Sequence, residues 1–488
     1  MRDSALCGPV VCDWGQFFPD VSGCMHAGRA FASCLGVYEH IFTPGVSPCG
    51  DDMPAFPLQL VYSPYRRLAW TGDVPGIYIF DNDDLFDEVL YGAKKMNQNY
   101  DSIRPYDDAE ASQALKRVAE APELKAISSF LYGPGHEFED RLRSLLRNLD
   151  TIDRFQAMIM ADTIQTILDK TSSGLHVSGL ENVENGRKHV LLSNHRDIIL
   201  DPAILQLILF NNRMSTTEIA VGDNLIANSF IEDIFRSNRM IKVERGGTPR
   251  EKYMSSMRLS SYMRDKVASG DCSVWIAQRN GRSKDGRDMT EQGLLKMLEM
   301  SGTGDFVKDF HELAILPIAV SYQFEPCDFL KARELYISRR CQYVKKPGED
   351  TVSILTGVRQ FKGRISFRFC PELSEEELYM CAAHDKNGRF KVMASLIDDR
   401  ICTGYKLWDT NYIACDILDG SDAYSSMYTP ESRSAFVEYM EKGLSGIVGK
   451  DPDVDIEELR DIYLSIYANP VRSSREHRAA GMGSSAPA

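Results

Sequence analysis

The sequence predicts an α/β fold, with a central mixed or largely parallel sheet flanked by helices and helical additions on its N- and C-terminal sides. Three observations predict it. Between residues 175 and 370 short β runs alternate with helical runs, and strands separated by helices return to the same sheet through crossovers. Residues 107–170 place apolar side chains at steps of three and four, the period of an amphipathic helix, and residues 375–469 read as helical again. At 488 residues, 43% hydrophobic and 26% charged, the chain can build a large core with flanking regions.

Residues 1–95 are rich in Pro, Gly, aromatics and Cys, punctuated by Pro44, Pro48, Pro54, Pro57, Pro64 and Pro75; they read as an extension without assignable function. A helical region follows over 96–174. Phe138, Leu142, Leu145, Leu146 and Leu149 step along one stripe, as do Phe155, Met158 and Ile159, then Ile164, Ile167 and Leu168, so this layer is expected to dock on what comes next. Over 175–370 the expected strands are His189–Leu192, Glu218–Val221, Met240–Val243, Ser273–Gln278 and Ile315–Ser321. Helices are expected near Pro202–Phe210, Leu225–Phe235, Arg250–Val267 and Thr290–Met300. Val352–Val358 and Arg364–Phe369, joined through Phe361-Lys362-Gly363, read as an edge hairpin. Residues 371–472 read as helical, and the Ser-, Ala-, Gly- and Arg-rich tail 473–488 as disordered.

Composition excludes several classes. No stretch approaches the roughly 20 apolar residues of a spanning helix. Met1–Trp14 has only a brief apolar patch before Asp13, too short for a signal-peptide core. Twelve cysteines without a Cys-x-x-Cys pair suit free thiols in a reducing cytoplasm better than disulfides or zinc, and no metal is expected. A net charge of -14 argues against nucleic acid as a partner. The charge is uneven, however. Arg236 to Arg287 holds thirteen Lys or Arg against five acids, which is either a solvated face or an anion site.

In α/β sheets functional groups gather where strands end and helices begin. Three such junctions are unusually polar. The first, Ser193-Asn194-His195-Arg196-Asp197 through Leu200-Asp201-Pro202, offers an imidazole that a carboxylate could orient as a base. Asp201 also fits a helix N-cap before Pro202. In a continuous helix His195 and Asp201 would stand about 240° apart, so they meet only across a loop, and Asp197 is the rival partner. The second, Glu244-Arg245-Gly246-Gly247-Thr248-Pro249-Arg250, places glycines and a helix start where a phosphate could sit, with Arg245 and Arg250 beside it. The third, Arg279-Asn280-Gly281-Arg282-Ser283-Lys284-Asp285-Gly286, repeats that device.

Together Asn194-His195…Asp201, Glu244-Arg245, Gly281-Arg282-Ser283 and Leu316-Pro317-Ile318-Ala319-Val320 resemble the four successive motifs of the glycerolipid acyltransferase superfamily, the glycerol-3-phosphate and 1-acylglycerol-3-phosphate acyltransferases. Val221-Gly222-Asp223-Asn224, Trp275-Ile276-Ala277-Gln278-Arg279 and Tyr405–Ala414 resemble a bacterial, soluble-looking branch of it. The resemblance runs from about Met96 to Asp416, leaving residues 1–95 outside, which makes a later true start an expectation. It implies an acyltransferase-like fold and direct transfer without an acyl-enzyme serine. His195 would deprotonate the acceptor hydroxyl, with Asp201 or Asp197 orienting the imidazole. Arg245 and Arg282 would hold the acceptor phosphate, with Lys284 and Arg250 as further contacts and Asn194, Asn280, Gly281 and Ser283 lining the substrate site.

Two departures from the family pattern stand out. Five residues rather than four separate His195 from Asp201, which keeps Asp197 in contention. Asn280 stands where the family's third motif carries glutamate, and a neutral amide supplies no negative charge. The expected function is transfer of a fatty acyl group from acyl-CoA or acyl carrier protein to glycerol 3-phosphate or its monoacyl form in phospholipid biosynthesis. No cofactor is expected beyond that co-substrate. The expected location is cytoplasmic, with peripheral contact at the inner face of the membrane, for which residues 107–170 are one candidate face. The competing readings are a catalytically impaired lipid- or phosphate-binding module and, third, a hydrolase.

Overall fold

The computed structural model describes three strands before residue 81 and residues 99–484, apart from 134, 135, 184, 185 and 450. The chain forms two compact units, Met1–Asn97 and Gln98–Ala488. In the first, β1 (Gln59–Tyr62), β2 (Arg67–Thr71) and β3 (Val74–Phe80) form an antiparallel meander. Everything else expected of residues 1–95 lies outside the described residues.

The second unit opens on a helical layer of α1 (Asp108–Glu120), α2 (Leu124–Tyr132), α3 (His136–Arg147), α4 (Ile152–Phe155) and α5 (Ala161–Thr171), with a π-helical turn at Gln156–Met160. Asp107 and Glu110 close a capping box that starts α1, satisfying amides a helix start leaves free. The expected stripe is real in Leu142, Leu146, Leu149, Phe155 and Ile159, which share a core with Leu115 and Val118. Phe138 and Met158, read into the same stripe, are exposed.

Seven strands make the main sheet: β4 (Gly174–Ser178), β5 (Val190–Ser193), β6 (Glu218–Gly222), β7 (Met240–Val243), β8 (Val274–Ala277), β9 (Leu316–Tyr322) and β10 (Arg364–Phe369), in the order β4-β10-β9-β5-β8-β6-β7. The five strands β9-β5-β8-β6-β7 are mutually parallel, whereas β10 runs antiparallel to β9 and carries β4 along with it. Connections among the parallel strands pass through α6 (Leu200–Asn211), α7 (Ser229–Ser237), α8 (Pro249–Ala268), α9 (Gln292–Glu299) and α10 (Phe306–Leu313). The strand period of two divides the core. Val190, Leu192, Val274 and Ile276 pack on one face, and Leu191, Trp275, Leu316, Ile318 and Val320 on the other with α6. Both faces are buried, and because the five strands run parallel their C-terminal ends lie at one edge, where their loops converge.

Two expectations fail. Val352–Val358 is no strand: after α11 (Asp328–Ser338) it lies in α12 (Glu349–Arg359). Ser353, Gly357 and Val358 are buried while Val352 and Leu355 face outward, a helical period that a short apolar run does not reveal by itself. β10 instead lies between β9, paired antiparallel, and β4, paired in parallel. The tail, too, is not disordered from Ser473. After α13 (Glu375–Ala382), α14 (Gly388–Gly404), α15 (Asp409–Asp419) and α16 (Pro430–Val448), the helix α17 runs Ile456–Ser484 through Pro470. Its face Leu459, Ile462, Tyr463, Ile466, Tyr467 and Val471 joins the core of the C-terminal layer. Packing, rather than local composition, carries it.

α17 is also pinned by a buried carboxylate. Tyr463 and Tyr467 each donate to Asp328 Oδ2 at 2.8 Å, and Gln360 donates to Oδ1 at 2.9 Å. Burial nevertheless pushes the Asp328 carboxyl up to about 6, and burial does the same to Asp398. A carboxyl raised on folding stabilises the protein fully below its unfolded value and loses that contribution as pH rises through the folded one. Thermal stability is therefore expected to fall between roughly pH 4 and 6.5 by on the order of 3 kcal/mol per group. Asp328→Asn removes its own share of that slope, read from Tm against pH; parallel curves for the two proteins would assign the slope elsewhere.

Candidate active site

β5 is buried at every residue and ends in a side-chain lock. Ser193 Oγ donates to the Asn194 carbonyl at 2.8 Å and accepts from Trp275 Nε1 at 3.0 Å. Asn194 donates to the Val320 carbonyl and to Asp288, and its Oδ1 accepts from the Val320 amide at 2.8 Å. Fully buried, Asn194 is thus a pin between β5 and β9 rather than the substrate contact the sequence suggested.

The next residue turns outward. His195 Nδ1 lies 2.9 Å from Asp201 Oδ2, its side chain is 13% exposed, and Trp275 meets the ring edge-on. A carboxylate on Nδ1 makes that nitrogen the proton donor and leaves a lone pair on Nε2. Among the described residues the contacts to His195 reach Nδ1 and the ring edge, and no hydrogen bond to Nε2 is described. That is the arrangement of a general base.

The two candidate carboxylates divide the work. Asp201 lies in the first turn of α6, not at its cap, and the segment before Leu200 is a loop, so the 240° objection dissolves. The loop curls so that the Arg196 and Asp197 amides both donate to Asp201 Oδ2, at 2.6 and 2.9 Å. Asp197 caps α6 instead, its Oδ1 accepting from the Ile199 and Leu200 amides at 3.0 and 2.8 Å. Its Oδ2 has no hydrogen-bond partner and faces Gly357, where any Cβ would come within 2.0 Å. Burial, reinforced by the Asp201 charge, pushes the Asp197 carboxyl above its usual range.

A buried network behind the loop was not legible in the sequence. Arg196, fully buried, meets Asp288 at 2.5 Å and stacks on Tyr405 at 5.0 Å, while Lys331 bonds the Arg196 carbonyl at 2.8 Å and Glu325 at 2.6 Å. Burying these charges is costly unless each is paired, and here they tie the His195 loop to α11 and the C-terminal layer. No local signal links residues so far apart along the chain.

The basic turn after β8 folds against the same loop: the Ser283 amide donates to the His195 carbonyl at 2.8 Å, and Ser283 Oγ donates to the Arg287 carbonyl. Gly281 and Gly286 both adopt positive φ, the region where glycine is least strained. Gly286 is further constrained, because a Cβ there would lie 2.1 Å from the Ile466 carbonyl. Pro470 has no amide to donate to that carbonyl, so the proline inside α17 frees the group that packs on the turn. Asn469 adds a bond to the Asp285 carbonyl at 2.7 Å. Within the turn Arg282 is buried and its Nη1 has no hydrogen-bond partner. Its charge bears on Asp197 and Asp350, which places it beside the His195 loop. Lys284 is occupied by Glu334 and pushed down by burial. Asn280 is exposed at the tip.

The junction after β7 differs from its reading. Thr248 and Glu251 form a capping box on α8, with the Glu251 carboxylate on the Thr248 amide at 2.7 Å. The chain's own acid, not an external anion, therefore occupies that helix start. Arg245 is exposed and lies over Gly222, where a Cβ would fall 2.6 Å from its Nε; Asn224 flanks the same glycine and bonds Asp350 at 3.3 Å. Arg245 thus lines a rim that leads through Asn224 and Asp350 toward Arg282. Arg250 is exposed, and no described contact joins it to His195.

Residues 174–321, spanning β4 to the penultimate residue of β9, match the Acyltransferase family model. Among solved structures, the crystal structure of the 1-acyl-sn-glycerophosphate (LPA) acyltransferase PlsC from Thermotoga maritima aligns with 12% identity over 58% of this chain and 90% of that one, with a TM-score of 0.31. No curated protein matches the chain.

Proposed function

We propose that the protein, whose residues 174–321 match the Acyltransferase family model, belongs to the glycerolipid acyltransferases and moves a fatty acyl group from acyl-CoA or acyl carrier protein to the hydroxyl of glycerol 3-phosphate or 1-acylglycerol 3-phosphate. One observation carries the reading. The His195–Asp201 pair presents an open Nε2 beside Arg282, a buried guanidinium whose Nη1 has no partner. A base and an unsatisfied cation on one loop cluster suit an acceptor with a hydroxyl and a phosphate. His195 Nε2 takes the hydroxyl proton as the oxygen attacks the thioester carbonyl. The tetrahedral intermediate then collapses, the C–S bond breaks, and the imidazolium returns the proton to the leaving thiolate. Asp201 stabilises the imidazolium in between.

Contact with the membrane is proposed as peripheral. None of the described helices is long and apolar enough to cross a bilayer. Exposed Val344, Val352 and Leu355 lie on and before α12, in a segment that also carries exposed Lys346 and Lys345, the latter paired with Asp350, a mixture that suits a lipid interface. This face supports docking better than the helical layer 107–170, whose main stripe is committed to its own core.

The test is purified protein with labelled acyl-CoA or acyl carrier protein and each acceptor in turn. Acceptor-dependent formation of the acylated phospholipid is the expected result. No turnover with any pair, together with retained phosphate binding, would favour the binding module suggested by the neutral, exposed Asn280. Release of free fatty acid without acceptor would favour a hydrolase.

A further inference from the structure

We propose that Tyr322 is a positioning residue for this site, whose hydroxyl holds the His195–Asp201 pair in its working orientation and limits how strongly Asp201 draws the imidazole proton. The activity readouts rest on the acyl-transfer reading above; the geometry does not.

The strand period brings Tyr322 there. β9 is buried along its whole length, and Leu316, Ile318, Val320 and Tyr322 share the face that packs on α6. Ser193, the last residue of β5, pairs with Ile318, so β9 runs on past the end of its neighbour. Tyr322 is its last residue, at the level of Asp201 in the first turn of α6. Pairing with Ile365 of β10 fixes the backbone from the other side. The Tyr322 hydroxyl donates to Asp201 Oδ1 at 2.7 Å, and both residues are buried.

That bond completes the carboxylate. Oδ2 accepts from His195 Nδ1 and from the Arg196 and Asp197 amides, and Tyr322 supplies the donor given for Oδ1. A carboxylate shared among four donors is a weaker acceptor for each than one shared among three. Among the described residues, the other charged or titratable groups facing this cluster are Asp197 on the same loop, Glu325 and Cys327 beyond β9, Arg282 from the turn after β8 and Lys362 before β10. Burial, with the Asp201 charge beside it, holds the Tyr322 phenol well above its usual range. The hydroxyl therefore stays a donor wherever the enzyme works.

Tyr322→Phe keeps the ring and deletes only that donor. With it gone, Asp201 pulls harder on the His195 proton, and the base is unmasked only at higher pH. The expected result is a kcat/KM lowered by about 3- to 10-fold on the acid side, an unchanged acceptor KM, and an acid limb of kcat/KM displaced upward in pH. In an Asp201→Asn background the same change adds nothing, because its route to His195 is gone. Tyr322→Leu, which also discards the ring, loses stability in addition but gives the same displacement. A uniform loss of rate with an unmoved pH profile, or full additivity with Asp201→Asn, would overturn the proposal. A readout free of activity separates it from the function: His195 followed by NMR in histidine-labelled protein titrates at higher pH in Tyr322→Phe than in the wild type. Identical titrations overturn the role of Tyr322 even if transfer proceeds, whereas a wild-type protein without turnover but with displaced titrations sinks only the acyl-transfer reading.

Discussion

His195→Ala is expected to lower kcat/KM by about 10³- to 10⁴-fold, the upper range for loss of a general base, and Asp201→Asn by about 10²- to 10³-fold. An amide at 201 can still bond the ring, but it carries no charge to stabilise the imidazolium and can favour the wrong tautomer. Asp197→Asn is the control that decides between the two acids. Its Oδ1 still caps α6 through the Ile199 and Leu200 amides, and the change discharges a buried carboxyl that burial already pushes toward neutrality. Activity within about threefold of the wild type, with Tm equal or slightly raised, is the expected outcome. Steady-state rates for the three variants settle the assignment: a collapse in Asp197→Asn with Asp201→Asn spared would reverse the roles given to the two carboxylates.

Arg282→Ala carries the second large effect. A guanidinium this buried, with Nη1 left without a partner, has been desolvated without full compensation inside the protein, and a ligand phosphate would complete it. Its removal is expected to raise the acceptor KM by about 10- to 150-fold, matching the 1.5–3 kcal/mol of charge-assisted hydrogen bonds, while the donor KM stays unchanged. Arg245→Ala should cost less than about tenfold and lose its effect at high salt, since an exposed cation is screened. A rise confined to the donor KM would move the phosphate away from Arg282.

Much of the site was legible because it depends on junctions, and junctions are local. An apolar run followed by Asn194-His195, and another followed by Gly281-Arg282, identify strand ends whatever the order of the strands. What was not legible is how each residue is used. Asn194 looks like a substrate contact until β9 is found beside it with Val320 in reach. Thr248-Pro249 looks like an anion site until Glu251 folds back onto the cap. Val352–Val358 reads as a strand because its apolar residues are few and close together, and only the inward-facing Gly357 on Asp197 shows why a helix with a bare face is needed.

By itself the sequence determined the alternation of strands and helices, the histidine at the end of β5 and the basic turn after β8, since periodicity and turn chemistry act over a few residues. Only the tertiary structure decided which aspartate serves His195, that Tyr322 reaches that aspartate, and that Pro470 in α17 frees a carbonyl to pack on Gly286. These depend on strand order and on the level at which each strand ends, which are fixed by burying both faces of the sheet at once rather than by any segment's own preference.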